Sequence, residues 1–171
     1  MTFRNSAAPQ GEAISDCAAN TRDSLPVARL RGISRLLRRV LKRDGIVSCA
    51  QLLQALGTHK ARAAFAGRFG ISLDDLTALV QRADLARIHG VGAVFGEMLE
   101  QLEVRDVQTL AGCDADRLTV RLQRLHLERR TARRAPNRDE VRHWIRQARS
   151  LPILVTYLAD SAPSPSTSAM L

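Results

Sequence analysis

Two short glycine-containing turns, each followed by an amphipathic run, hold the residues of this 171-residue sequence that are best suited to bind a ligand. One turn reads LRGIS at residues 30–34, and the other reads IHGVG at residues 88–92. Glycine permits a tight reversal, and the free amides at the start of the next helix point outward together. The helix dipole favours an anion there, so each turn predicts a helix-hairpin-helix phosphate site. The predicted phosphate-binding backbone groups belong to Gly32, Ile33 and Ser34 in the first turn and to Gly90, Val91 and Gly92 in the second.

The two turns belong to an internal repeat. Residues 27–53 align with residues 85–111 at a constant offset of 58, and the alignment needs no gap. Glycine, apolar and potential helix-capping positions all match, which indicates two copies of one structural unit. The matched positions include Gly32 with Gly90, Leu41 with Leu99, and Ser48 with Asp106.

The helices that follow the two turns differ in charge. The first aligned window holds seven basic residues and one acidic residue, whereas the second holds two basic and four acidic residues. Glu97 stands opposite Arg39 in the alignment, and Glu100 stands opposite Lys42. Carboxylates near a bound phosphate repel it. The second turn has both glycines, whereas the first has Ser34 in the second glycine position. The turn with both glycines therefore leads into the helix that is less favourable for phosphate. The cations expected to assist phosphate binding are Arg31, Arg35, Arg38, Arg39 and Lys42.

Helix start signals place these turns in an all-α fold. Apolar residues at helical spacing within residues 35–43 predict a helix behind the first turn. The short run ILVTY at residues 153–157 is expected to be an extended segment packed on the core. The fold class is therefore all-α, with two degenerate helix-hairpin-helix repeats plus a C-terminal helical pair. The capping signals are Ser48 with Gln51, Thr58, Ser72 with Asp75, Asp114, and Asn137 with Glu140.

Local composition divides the chain into two tails and two repeats. Residues 1–24 and 160–171 are rich in small and polar residues without apolar periodicity, so they are expected to be disordered tails. Residues 25–84 hold the first repeat together with a helical linker. Residues 85–159 hold the second repeat and the C-terminal helices.

Overall composition predicts a cytoplasmic protein with no membrane partner. Hydrophobic residues make up 45% of the chain and aromatic residues 4%, which indicates an aliphatic core. No apolar run approaches the ~20 residues of a membrane span, and the N-terminal residues lack the apolar centre of a signal peptide. Cys17, Cys49 and Cys113 are odd in number and widely spaced, which predicts neither a disulfide framework nor a zinc site.

Three stretches resemble a known family. They read RADLARIHGVG at 82–92, RRAPNRDEVRHWIRQARSLP at 133–152 and GISLDDL at 70–76. On these stretches the sequence resembles a bacterial domain-of-unknown-function family with tandem helix-hairpin-helix-like repeats, similar in style to the C-terminal domain of the RNA polymerase α subunit. The resemblance covers residues 25–157. It implies a compact all-α fold and no established activity or ligand.

The charge of the chain leaves two functions open. The formal charge is +9, and 24 of the 26 basic residues are arginine, so the surface attracts polyanions. The first hypothesis is non-sequence-specific binding to the phosphate backbone of DNA or RNA through the turns and the Arg-rich faces. The alternative is a protein–protein interaction or scaffold module, in which the hairpins are structural only and the opposed charges are complementary surfaces.

The inventory of reactive side chains predicts no enzyme. None of the four histidines pairs with a cysteine nucleophile in a known motif, and no carboxylate dyad or metal-ligand spacing occurs. We therefore expect a non-enzymatic binding module with no catalytic residue, no metal and no cofactor. Trp144 lies on an apolar helix face and is expected to pack in the core.

Overall fold

The computed structural model describes residues 24–130 and 132–157, and every regular element within these ranges is a helix. The all-α prediction is confirmed. The predicted tails, residues 1–24 and 160–171, lie almost entirely outside the described residues. A 3-10 turn at Val27–Arg29 precedes eight α-helices: α1 (Arg35–Arg43), α2 (Cys49–Leu56), α3 (His59–Phe69), α4 (Leu73–Leu85), α5 (Ala93–Gln101), α6 (Val107–Ala111), α7 (Ala115–Arg129) and α8 (Arg138–Ser150).

Side-chain caps explain where most of these helices begin. In each capped helix, a side-chain oxygen accepts a hydrogen bond from the backbone amide three residues later, which satisfies one free donor of the first turn. The predicted capping boxes at Ser48 and Asn137 are complete. Ser72 caps α4 as expected, but the short side chain of Asp75 makes no return bond among the described residues. The capping residues are Ser34, Ser48, Thr58, Ser72, Asp106, Asp114 and Asn137.

The helices enclose two buried cores that meet at the end of α4. The first core extends from Val27 to Ala83 and takes in α1 to α4, and the second extends from Leu85 to Ala148. Helix α4 packs mainly on α2, and α8 packs mainly on α6. Helix α4, which the sequence presents as part of a linker, therefore packs in the first core as α8 does in the second.

The first α-helix of each aligned segment has the same bounds. Helices α1 and α5 begin and end at positions 58 residues apart. The glycines before them have similar backbone angles, with φ of +74° at Gly32 and +91° at Gly90. The segments differ at the N-cap, because Ser34 supplies a hydroxyl where Gly92 has no side chain.

After α8 the chain returns to the first core as an extended segment. Val155 is buried there, and the amide of Thr156 donates a hydrogen bond to the carbonyl of Gly57 at 3.0 Å. The expectation of an extended segment at residues 153–157 is thus confirmed. The segment thus connects the end of the second unit to the first core.

Candidate nucleic-acid interface

The first turn is braced by an arginine from α4. Gly32 has a positive φ, and a side chain at this position would collide with Nη1 of Arg82. The same nitrogen donates to the carbonyl oxygen of Arg31 at 2.9 Å. The Ser34 hydroxyl accepts from the Leu37 amide at 3.1 Å, so one N-terminal donor of α1 is already used within the protein. The first turn therefore has a fixed shape and a partly satisfied helix N-terminus.

The second turn is held against α8. Gly90 has a positive φ, and a Cβ atom there would lie 3.0 Å from Nε1 of Trp144. The side-chain amide of Gln147 accepts from the backbone amide of His89 at 2.8 Å and donates to the His89 carbonyl at 3.1 Å. Trp144 itself is buried, as expected. The backbone angle and the close approach of the indole thus both favour glycine at position 90.

The amides predicted to bind phosphate in the second turn are not equivalent. The Val91 amide donates to the Ile88 carbonyl at 3.1 Å, and the Val91 side chain is buried in the second core. Gly92 is exposed and is the N-cap of α5, and no acceptor among the described residues takes its amide. The Gly90 amide also has no acceptor among the described residues, so the open donors of this turn are those of Gly90 and Gly92.

The two turns border one cleft of about 230 Å³. Residues 29–32 at the first turn and residues 91–93 at the second line it, together with Arg82 of α4 and Glu97 and Glu100 of α5. Ile33 packs half-buried against the first core instead. The structure thus brings Arg31, Gly32 and Gly92 to one place although they are far apart in sequence.

Both carboxylates that were expected to repel phosphate form ion pairs with arginines of the same chain. Glu97 forms an ion pair with Arg31. Glu100 accepts from Nε and Nη2 of Arg82 at 3.0 and 2.8 Å, and these hydrogen bonds raise the pKa of Arg82. The acidic side of α5 therefore meets cations of the first unit, which weakens the expected repulsion near the second turn.

The remaining predicted cations lie on the outer face of α1. All of them are exposed, and none pairs with a carboxylate among the described residues. One of them, Arg38, also donates to the Ala28 carbonyl at 3.3 Å. Successive turns of this helix therefore present like charges to solvent. The face, called the α1 basic face below, consists of Arg35, Arg38, Arg39, Lys42 and Arg43.

The turn between α7 and α8 brings a further arginine beside α5. The Arg134 guanidinium lies 5.9 Å from the ring centre of Phe95, in the first turn of α5. Arg134 also donates both of its terminal nitrogens to Glu140, at 2.7 and 2.6 Å. Phe95 packs in turn on Trp144, with 5.2 Å between ring centres. A basic side chain from the turn between α7 and α8 thus lies near the first turn of α5.

Replacing Glu140 with glutamine is expected to remove a pH-dependent part of the stability. The hydrogen bonds from Arg134 hold the pKa of Glu140 at about 2, below its ordinary value of 4.5. A carboxylate with a lowered pKa stabilises the fold above its ordinary value, and this contribution is lost as the pH falls toward 2. Thermal unfolding of both proteins across this range will show a larger loss for the wild type, and parallel curves would contradict the expectation.

Two residues that shape the candidate interface could not be identified from the sequence. Arg82 lies in the predicted linker helix, and Gln147 lies on α8, far from the turn that it holds. Each acts through a backbone group more than 50 residues away. Helical spacing predicts the face of a residue but not its distant partner, so only the folded chain reveals these contacts.

The described cysteines and helices give no sign of a reactive thiol, a metal site or a membrane span. Burial raises the pKa of Cys49 to about 11 and also raises the pKa of Cys113, so both thiols are held in the protonated form. Within the described ranges, no group of three metal-binding side chains occurs. None of the helices described is long and apolar enough to cross a bilayer.

Comparison with known families gives a match over most of the chain. Residues 31–151 match the family described as Domain of unknown function (DUF4332), and this range contains the second turn and helices α1 to α8. No curated protein and no solved structure gives a significant match.

Proposed function

Because the chain belongs to the family Domain of unknown function (DUF4332), whose description assigns no activity, we propose a function from the surface of the chain itself. The protein binds the phosphate backbone of nucleic acid without reading base sequence. The α1 basic face supplies the charge, and the two glycine turns act as helix-hairpin-helix turns that supply amide donors.

The α1 basic face is the observation that carries this proposal. Like charges at i, i+3 and i+4 positions destabilise a helix, and here five of them occur within nine residues. Asp44, the carboxylate that directly follows these cations, is engaged with Arg68 at 3.3 Å instead. A polyanion would relieve this repulsion and would release its own counterions on binding.

The distribution of aromatic residues favours contacts with phosphates over contacts with bases. Single-strand binding usually requires exposed aromatic rings on which bases stack. Every aromatic side chain among the described residues is buried or half-buried, so a stacking platform is lacking on this part of the surface. These residues are Phe65, Phe69, Phe95, Trp144 and Tyr157.

The double substitution of Arg35→Gln and Arg39→Gln is expected to weaken binding and to reduce its salt dependence. Removal of one cation that neutralises a phosphate should reduce the slope of log K against log salt by about 0.9. The measurement is fluorescence anisotropy with a labelled random-sequence DNA duplex, at about 50 to about 200 mM salt. A matched double variant, Lys60→Gln with Arg117→Gln, removes the same charge from exposed positions outside α1. Equal slopes for the two double variants would contradict the assignment to α1.

Glutamate at Gly92 is expected to weaken DNA binding by about three- to ten-fold, because it places a negative charge at the open donors of α5. Gly92 has φ of −79°, and an added Cβ would meet nothing within 4 Å, so the fold should survive. Gly92→Gln is the matched neutral control, and thermal melts check folding. Equal binding by the glutamate and glutamine variants would show that the second turn does not contact phosphate.

A protein partner is the second candidate function, and the outer face of α7 favours it. Val120 and Leu127 lie two helical turns apart and are 64% and 77% exposed. Apolar side chains on one stripe of a helix are typical of a helix-packing surface. If the wild-type protein fails to bind DNA at about 50 mM salt, this surface becomes the leading candidate.

A further inference from the structure

The ion pair between Arg31 and Glu97 joins the two halves of the proposed interface. Arg31 lies in the first turn, and Glu97 lies on α5, behind the second turn. Both residues line the cleft between the turns. The predicted phosphate ligand Arg31 therefore already has an anionic partner inside the chain.

We infer that Glu97 is an internal competitor for phosphate, so that nucleic acid must displace it from Arg31 to bind. This inference rests on the proposed function. Glu97 occupies Arg31 in the free protein and lowers the affinity for the phosphate backbone. The bound phosphate takes the place of the carboxylate on the guanidinium.

The neighbouring pair of Arg82 and Glu100 is built differently and is expected to persist. Arg82 donates two nitrogens to Glu100 and a third to the carbonyl of Arg31, and its side chain is 29% exposed. Arg31 contacts Glu97 through one nitrogen, and its side chain is 58% exposed. A single exposed contact yields to a competing anion more readily than a bidentate, partly covered one.

The persistent pair also keeps Arg31 at the rim of the cleft. The Arg82 guanidinium holds the Arg31 carbonyl, so the Arg31 backbone stays in position when its side chain changes partner. Arg82 is thus a positioning residue, and only the Arg31 side chain exchanges partners.

The test is the DNA affinity of Glu97→Gln, which is expected to rise by about two- to five-fold. Glu103→Gln is the matched control, because it removes the same charge just after α5 from a residue that pairs with Arg105 instead. A smaller gain is expected for this control. In an Arg31→Gln background, the gain from Glu97→Gln is expected to disappear, since no cation remains to be released.

The outcomes separate this inference from the proposed function. Equal gains for Glu97→Gln and Glu103→Gln would overturn the competitor role and leave the proposed function standing. The same conclusion would follow if the Glu97→Gln gain persisted without Arg31. Absence of binding by the wild type and by Glu97→Gln alike would overturn both proposals.

Discussion

Replacing Arg62 with methionine is expected to lower the free energy of unfolding by about 3–5 kcal/mol. The Arg62 side chain is fully buried in α3. Its guanidinium donates to the carbonyls of Leu56 and Gly57 at 3.0 and 2.6 Å and to that of Thr156 at 2.5 Å. Burial lowers the pKa of Arg62, but a guanidinium stays protonated in proteins. Methionine has a similar length and would leave three carbonyls without this donor.

Two of these carbonyls belong to the C-terminal end of α2, where the helix dipole is negative. Arg62 therefore acts as a buried cationic cap, and through Thr156 it also fixes the extended segment that follows α8. The loss should be measured by chemical denaturation of the full chain followed by circular dichroism.

Arg68→Met is the matched control for Arg62→Met. It lies in the same helix, is exposed, and pairs with Asp44 at 3.3 Å, so a change within about 0.5 kcal/mol is expected. Arg62→Lys should fall between the two, because a lysine keeps the charge but does not match the planar geometry of three acceptors. Equal stabilities of the two methionine variants would contradict the role given to the buried bonds.

The buried position of Arg62 could have been found from the sequence, but its role could not. Arg62 precedes the buried residues Phe65 and Ala66 by three and four positions, so all three lie on one face of α3. The spacing thus predicts burial, whereas charge normally predicts exposure. The conflict is resolved by carbonyl groups that other segments supply, and helical periodicity contains no information about them.

Helix starts were predictable because a cap is a local interaction. At Thr58 and Asn137, for example, the capping oxygen and the amide it accepts from are three residues apart. The packing of α3 and α4 into the first core was not predictable in the same way. It depends on contacts between helices, and the sequence showed only that the segment between the repeats is helical.

The candidate site likewise has features that are local in sequence and features that depend on contacts between distant segments. The positive φ at Gly32 and Gly90 follows from the local turn pattern. The neutralisation of Glu97 and Glu100 follows from Arg31 and Arg82, which reach α5 only in the folded chain. The charge contrast between the repeats can therefore be read from the sequence, whereas the ion pairs that Glu97 and Glu100 form with arginines of the first unit are visible only in the structure.

Alanine at Gly57 is expected to lower the free energy of unfolding by about 1–3 kcal/mol. Gly57 has φ of −63°, so its backbone angle suits any residue. An added Cβ, however, would overlap the carbonyl oxygen of Leu154 and lie 2.5 Å from that of Leu53. Both are backbone atoms that no side-chain rotation can move aside. The extended segment must therefore shift, which weakens the bond from the Thr156 amide to the Gly57 carbonyl.

Gly67→Ala is the matched control, because Gly67 lies within α3 and an added Cβ there meets nothing within 4 Å. It is expected to raise the free energy of unfolding by about 0.5–1 kcal/mol through helix propensity, so the two substitutions should act in opposite directions. Hydrogen exchange of the Thr156 amide should quicken in Gly57→Ala and not in Gly67→Ala. Unchanged exchange in Gly57→Ala would mean that the segment adapts to the methyl group without weakening this hydrogen bond.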